Sequence, residues 1–397
     1  MKPEMTSRER VLAALACQEP GHVPCCFMIL AALQDKTADQ YDFLRGQLDL
    51  GLDAVVQLHA RQPKPSWEWY EHRDLIGLPV RYHRDVRVQE SRTILPAGHT
   101  LLRKEYQTPA GTLSTEIETS DDWPYGHHVP FLDDFLIPRA RKRLIAEPAD
   151  LEALAYLLQP PAMDDLEMFR EEAAREHAFA REFGLAVSGG WGVGGDMAFW
   201  LCGIQEFLLA TVDRPDFAAA VLAMIAEWNR ARMSQMLAAG VDLFIRRAWY
   251  ESTDFWSPAL YERFLLPSLR EEVKLAHEAG AKFGYIMTTG AMPLLDLIMS
   301  AGVDVLIGVD PIQDKGGDMA EMKRRTAGRM ALWGGVNGFL TVELGAEDEV
   351  RQAVREAMDV LAPGGGFVLS PVDNVTADTP AAWRNVDAMI DEWKRLR

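Results

Sequence analysis

The sequence predicts a (β/α)8 barrel carrying an N-terminal helix and a β-hairpin inserted between its second and third strands. Eight short apolar runs, near 23–29, 54–60, 184–190, 242–249, 282–289, 303–310, 330–336 and 366–372, are too uniformly hydrophobic to leave one face wet, as strands buried on both sides must be. Helical stretches such as SPALYERFLLPSLREEVKLAHEAG and AEDEVRQAVREAMDVLAPGGG separate the later runs, and strands alternating with helices build parallel sheets. A small unit also recurs: LDLGLDAVVQLHA, LAAGVDLFIRRAW and MSAGVDVLIGVDP each read helix end, glycine, apolar residue, aspartate, strand. The glycine supplies the left-handed stop that ends a helix. The rival open sheet would want a GxGxxG turn after its first strand, and none is there.

Taken in order, Thr6 and Ser7 cap a helix whose apolar residues Val11, Leu12, Ala14 and Leu15 fall at helical spacing. The run CCFMIL is the first strand and DAVVQLHA the second. Between the second and third strands, HTLLRKEYQTPAGTLSTEIETS alternates around a Pro-Ala-Gly turn, which predicts a hairpin. The flanking PKPSWEWYEHRD and DDWPYGHHVPFLDDF are aromatic and turn-rich, suiting a lid or an interface. The whole chain, 1–397, is thus expected to be one barrel domain with an insertion at about 61–180.

Composition narrows the function. The chain is 48% hydrophobic, enough for a large core, and carries a net charge of −18. A surface this acidic cannot neutralise phosphates, so nucleic acid is not an expected partner. Cys17, Cys25, Cys26 and Cys202 make neither a CxxC pair nor a disulfide framework. The N-terminal twenty residues mix basic and acidic side chains without an apolar centre, and no run is long and apolar enough for a membrane span. A cytoplasmic location is expected.

In such a barrel the chemistry lies at the C-terminal strand ends. These ends carry His59, the glycine-rich SGGWGVGGDMAFW, RRAWYESTD, FGYIMTTG, Asp310, WGGVNG with Asn337, and SPVDNVTADTP with Asp373 and Asn374. Arg246 and Arg247 are neighbours on one strand, so one guanidinium faces the barrel and the other the helix layer. A buried guanidinium needs an anion, which Glu251, Asp254, Asp310, Asp373 or a substrate carboxylate could supply, unless the pair is purely structural. Asp310 closes an apolar strand, where partial desolvation raises a carboxylic acid's pKa unless a cation compensates, and it is read either as an acid–base or substrate-contact residue or as a helix cap. His59 either meets substrate or bonds a backbone carbonyl. The run GGWGVGG lacks the lysine and spacing of a phosphate loop, so its glycines either admit a bulky ligand to the backbone or turn the chain. Trp191, Trp200, Trp249, Trp256 and Trp333 all fall at or just after strand ends, where tryptophans stack on flat or cationic ligands unless they belong to the core.

The stretches TSRERVLAALACQEPGHVP, LLPSLREEVKLAHEAGAKFGY, MPLLDLIMSAGVDVLIGVDP and LAPGGGFVLSPVDNVTADTP resemble the uroporphyrinogen decarboxylase superfamily. The resemblance covers most of the chain outside 61–180 and implies the same (β/α)8 fold. True decarboxylases of that family carry an arginine-rich segment after the first strand and an aspartate near the second. Here no arginine lies between Arg10 and Arg45, and the second strand ends in His59. The corrinoid-linked thiol methyltransferases of the superfamily bind zinc through a His-x-Cys at the fifth strand end and a later cysteine. With Pro293 as register, those places are Ile286 and Thr288, and no cysteine follows Cys202. A zinc-thiolate site is therefore expected to be absent.

The strand end FGYIMTTG can shape a pocket and donate hydroxyl hydrogen bonds, but it cannot activate a nucleophile. The resemblance then implies a methyltransferase moving a methyl group from an aryl methyl ether or methylated amine to cobalamin on a partner corrinoid protein. Asp310, Glu251 or Tyr285 would polarise or protonate the departing heteroatom. His59, Trp191, Arg246, Arg247, Trp249, Thr288, Trp333, Asn337, Asp373 and Asn374 would contact the substrate. Alternatives are a carboxy-lyase holding an acid through Arg246 or Arg247, and a non-catalytic barrel binding a tetrapyrrole or a partner. His59, Glu251, Asp254 and Asp310 could also form a non-thiolate metal site, although they lack a diagnostic spacing.

Overall fold

A computed structural model describes residues 5–27, 29–59, 71, 78–314 and 316–397. The barrel is built on seven parallel strands, β1 (Val55–Gln57), β6 (Ala186–Gly192), β7 (Leu243–Arg247), β8 (Lys282–Ile286), β9 (Val305–Val309), β10 (Ala331–Asn337) and β11 (Phe367–Val372), adjacent in that order. The eighth place belongs to the run expected as the first strand, which bridges rather than forming a full ladder. Cys25 and Ile29 pair in parallel with Leu369 and Asn374. On its other side the Cys25 carbonyl accepts the Asp53 N–H at 2.8 Å.

Alternate strand residues sort into two cores, as a closed parallel sheet requires. Ala186, Leu243, Ile245, Ile286, Val305, Ile307, Ala331, Trp333 and Val368 fill the interior together with Val11, Ala14 and Leu15 of the N-terminal helix Ser7–Leu15. That helix, closed by a Thr6–Glu9 capping box, plugs the N-terminal end. Phe244, Phe283, Tyr285 and Met287 belong instead to the larger core between strands and helices.

The recurring glycine-aspartate unit has a clear structural use. Gly51, Gly240 and Gly302 take φ of 80°, 89° and 87° and stop their helices. The aspartate that follows then clasps the neighbouring strand reciprocally. Asp53, Asp242 and Asp304 donate their N–H to the carbonyls of Cys25, Val187 and Phe283, and their carboxylates accept those same residues' N–H groups at 3.1, 3.0 and 2.8 Å.

The insertion is larger than a hairpin. The expected pair, β3 (Thr100–Thr108) and β4 (Gly111–Glu118), is flanked by β2 (Arg87–Ile94) and β5 (Ala140–Lys142) in an antiparallel sheet of order β2-β3-β4-β5. The aromatic run after it supplies core and no lid: Trp123, Tyr125 and Phe131 are buried. The run PKPSWEWYEHRD lies outside the described residues except for Glu71. The helix Met163–Phe183 then leads into β6. No described helix is long and apolar enough to cross a membrane.

Candidate functional site

The strand-end arginines divide as side-chain alternation demands. Both are fully buried. Arg247 continues the interior row of Leu243 and Ile245. Its Nε donates to Asp196 at 2.9 Å, its Nη2 reaches Asp134 at 3.0 Å, and its guanidinium lies 4.5 and 4.4 Å from the ring centres of Trp200 and Trp249. Asp134 comes from the insertion, so this arginine joins barrel and insertion. Burial pushes the Asp196 carboxyl up, to about 6, against the pull of Arg247.

Arg246 points the other way, into the wall between sheet and helices. It donates to Glu251 at 2.6 Å and to Glu272 at 3.0 Å. Glu251 also accepts the Gly195 N–H at 2.6 Å and the Tyr285 hydroxyl, while the Tyr261 hydroxyl donates to Tyr285 at 3.0 Å. Asn229 continues the network, donating to Glu272 at 3.0 Å and accepting the Val193 N–H at 3.1 Å. Burial, with Glu251 beside it, drives the Tyr285 hydroxyl far above the ordinary phenol range. Glu251 and Tyr285, expected as proton donors, thus sit behind the barrel wall without solvent exposure. Tyr285 shares its face of β8 with Phe283, and that alternation turns it away from the mouth.

The same network accounts for the glycine-rich run. A Cβ on Gly194 would lie 1.9 Å from Arg246 Nη2, and one on Gly190 would lie 2.2 Å from the Ile245 carbonyl oxygen. The backbone closes on an internal ion pair and a neighbouring strand, so the close approach expected for a bulky ligand is made to the protein itself.

The mouth is left to a smaller set. Thr288 lies on the interior row, beyond Ile286, and is buried. The Asp310 carboxylate accepts the N–H groups of Ile312 and Gln313 at 2.8 and 3.0 Å and the Asn337 amide at 2.7 Å. Asn337 in turn caps the turn after β10 by accepting the Leu340 N–H at 2.6 Å. Asp373 ends β11 with a left-handed φ of 63°, rare for a residue other than glycine and a pointer to function when found at a strand end. Burial and the nearby Asp310 raise its carboxyl above the usual range.

Other expected contacts are spoken for. Asn374 accepts the Ala31 N–H at 3.0 Å and secures the eighth-strand run. His59 pairs through Nδ1 with the buried Glu176 at 2.6 Å. Burial disfavours its charge, but Glu176 outweighs this and raises the imidazole pKa. Of the five tryptophans, Trp333 lies in the interior core and donates to the Cys26 carbonyl at 2.9 Å. Trp256 stacks on Phe199 in the outer core, with centroids 5.8 Å apart. Trp200 lies against Arg247. Trp191 and Trp249 meet with centroids 5.3 Å apart and planes tilted by 51°, and each keeps a buried indole N–H without a partner.

His59, Glu251, Asp254 and Asp310 do not assemble. Each has a different partner, Asp254 accepting the Thr289 hydroxyl at 2.5 Å. Among the described residues no three His, Cys, Asp or Glu side chains come together as a metal ion would need. Sequence reading missed Asp134, Asp196, Glu176 and Glu272. Their signal was present, because Asp196 stands inside the otherwise apolar helix Gly195–Cys202, and a lone charge there demands a counter-ion.

A family model described as uroporphyrinogen decarboxylase (URO-D) matches residues 125–396. Methylcobamide:CoM methyltransferase MtaA of Methanosarcina barkeri is 24% identical over 237 residues, 58% of this chain and 65% of that protein. Uroporphyrinogen decarboxylase of Cupriavidus necator is 28% identical over 192 residues, 46% of this chain and 49% of that one. The chain thus spans under two thirds of either relative's length. Among solved structures, a methyltransferase from Methanosarcina mazei shares the fold with a TM-score of 0.59 at 18% identity, covering 99% of both chains.

Proposed function

Because the chain belongs to the uroporphyrinogen decarboxylase (URO-D) family, we propose that it is a methyltransferase that takes a methyl group from a small methylated donor, an aryl methyl ether or methylated amine, to cobalamin held by a partner corrinoid protein. The observation that carries this reading is the commitment of both buried strand-end arginines to carboxylates of the protein itself, Glu251 and Glu272 for Arg246 and Asp196 and Asp134 for Arg247. A substrate bearing many carboxylates would find no uncommitted guanidinium on β7, and Ile286 and Thr288 stand where thiol methyltransferases of the superfamily keep zinc ligands. The MtaA relative supports the choice of methyl transfer. A carboxy-lyase is the second reading, favoured by the higher identity of the Cupriavidus decarboxylase.

In this proposal the partner's reduced cobalamin supplies the nucleophile, and the barrel prepares the donor. Trp191, Trp249 and Thr288 hold it, so that orientation supplies much of the rate. Asp310 is fixed by its hydrogen bonds and ties the end of β9 to that of β10 through Asn337. Asp373, whose carboxyl pKa is raised above the usual range by burial and by Asp310, delivers its proton to the departing oxygen or nitrogen. Exposed Ile312, Phe339, Leu340 and Leu344, on the loops that leave Asp310 and Asn337, give the partner an apolar rim to rest on.

The test incubates purified protein with cobalamin reduced to the cob(I) state and a panel of methyl donors, following methylcobalamin by absorbance. At least one donor is expected to react, and Asp373→Asn to slow it by about 10²-fold or more. The active form is protonated, so the rate should fall as pH rises through the elevated Asp373 pKa, and the variant should lack that limb. Silence with every donor, together with release of carbon dioxide from a carboxylated substrate, would replace this reading with the second; a tightly bound coloured ligand without turnover would point to a binding barrel.

A further inference from the structure

One strand of the insertion has nothing to pair with. β2 (Arg87–Ile94) is the outer strand of its sheet, joined to β3 along its full length without a register shift. All eight of its residues are exposed, and among the described residues no strand pairs with its free edge. Natural sheets blunt such edges with short strands, charges, prolines or bulges. β2 has eight residues, RVQESRTI, with neither proline nor bulge, and its charges, Arg87, Glu90 and Arg92, are of both signs and so can be matched by a partner strand. Its apolar residues Val88 and Ile94 are 40% and 64% exposed. A cavity of about 400 Å³ lies between Glu90, Ser91 and Arg92 and the segment Tyr125–His128. The contacts across it are made by the strand's side chains, His128 and the Val129 N–H meeting Glu90 and His127 meeting Arg92.

We propose that this edge pairs with the same strand of a second copy, in an antiparallel two-fold register centred on Ser91, extending each four-stranded sheet into one of eight strands. The sequence selects both occupant and register. Antiparallel partners must share a face, so the two-fold axis must pass through a residue. An axis at Glu90 would oppose Glu90 to its own copy and Val88 to Arg92. One at Arg92 would oppose Arg92 to itself and Glu90 to Ile94. Like charges directly across a ladder repel. The axis at Ser91 instead sets Glu90 against Arg92 and Val88 against Ile94, twice each, with Gln89 against Thr93 and serine against serine. Charge and apolar surface match only there. Glu90 is anionic: burial opposes its ionisation, but His128 and Lys104 together hold its carboxyl below the usual range. This assembly is independent of the methyl-transfer reading, since the strand lies on the insertion.

The full chain, examined by sedimentation velocity and light scattering over a concentration series, should form a dimer. Ile94→Asp, at an exposed position, should weaken it by roughly tenfold or more with an unchanged melting profile for the monomer. Adding Val88→Lys sets lysine against aspartate across the axis and should restore association. A chain that stays monomeric, a dimer indifferent to Ile94→Asp, or a monomer that takes up a foreign extended peptide on this edge would each overturn the proposal.

Discussion

Arg246 and Arg247 illustrate what a single residue pair can settle in advance. Adjacent positions on a strand force opposite faces, and desolvation forces counter-ions; the structure follows both requirements. Of the carboxylates the sequence offered as counter-ions, Glu251 does pair with Arg246, whereas Asp254 bonds Thr289 and Asp310 bonds Asn337. Glu272, Asp196 and Asp134, which complete the pairs, come from separate elements that no local pattern joins. What the sequence did not show is that the Glu251 pairing, with Tyr285 also donating to Glu251, withdraws both residues from the mouth. In our reading these two are positioning residues that fix the wall from behind. Removing the carboxylate in Glu251→Ala leaves a buried guanidinium facing Glu272 alone and should cost about 3–5 kcal/mol of stability, measured by urea denaturation. A variant of unchanged stability but failed methyl transfer would return Glu251 to the chemistry.

At the scale of elements, the apolar runs located the barrel strands because strands buried on both faces need unbroken hydrophobicity. The β3–β4 hairpin was equally legible from its alternation and turn. β2 and β5 were not: an exposed strand such as RVQESRTI carries no buried face to read, and β5 has only three residues. The repeated aspartates were read as part of a helix-to-strand unit, and the structure gives them a function in joining strands. Asp304 accepts the Phe283 N–H while also meeting His277 and Lys282 at 2.7 and 2.8 Å. Asp304→Ala would strand that N–H and should destabilise the fold by about 1–3 kcal/mol, visible as a lower urea midpoint with an unchanged slope.

At the scale of the molecule, barrel and insertion are fastened where Asp134 meets Arg247 and the Trp200 indole, the latter at 2.8 Å. Asp134→Ala keeps the Arg247–Asp196 pair but cuts this fastening. It should cost about 1–3 kcal/mol and raise amide hydrogen exchange in the turn around Asp133–Leu136 more than in β9 or β10. Equal exchange throughout would mean that the apolar contact of Tyr106, Leu113 and Phe131 with the main core holds the insertion unaided.

By itself the sequence determined the barrel, its plugging helix, the inserted hairpin and the family resemblance, because hydrophobic period, glycine stops and turn residues act over a few neighbouring positions. Only the tertiary structure decided which polar side chains face the mouth and which are spent inside the wall. That choice depends on charges far apart in the chain finding one another in a medium that penalises any left alone, as Arg247 finds Asp134 and Asp196, and no local pattern records such a meeting.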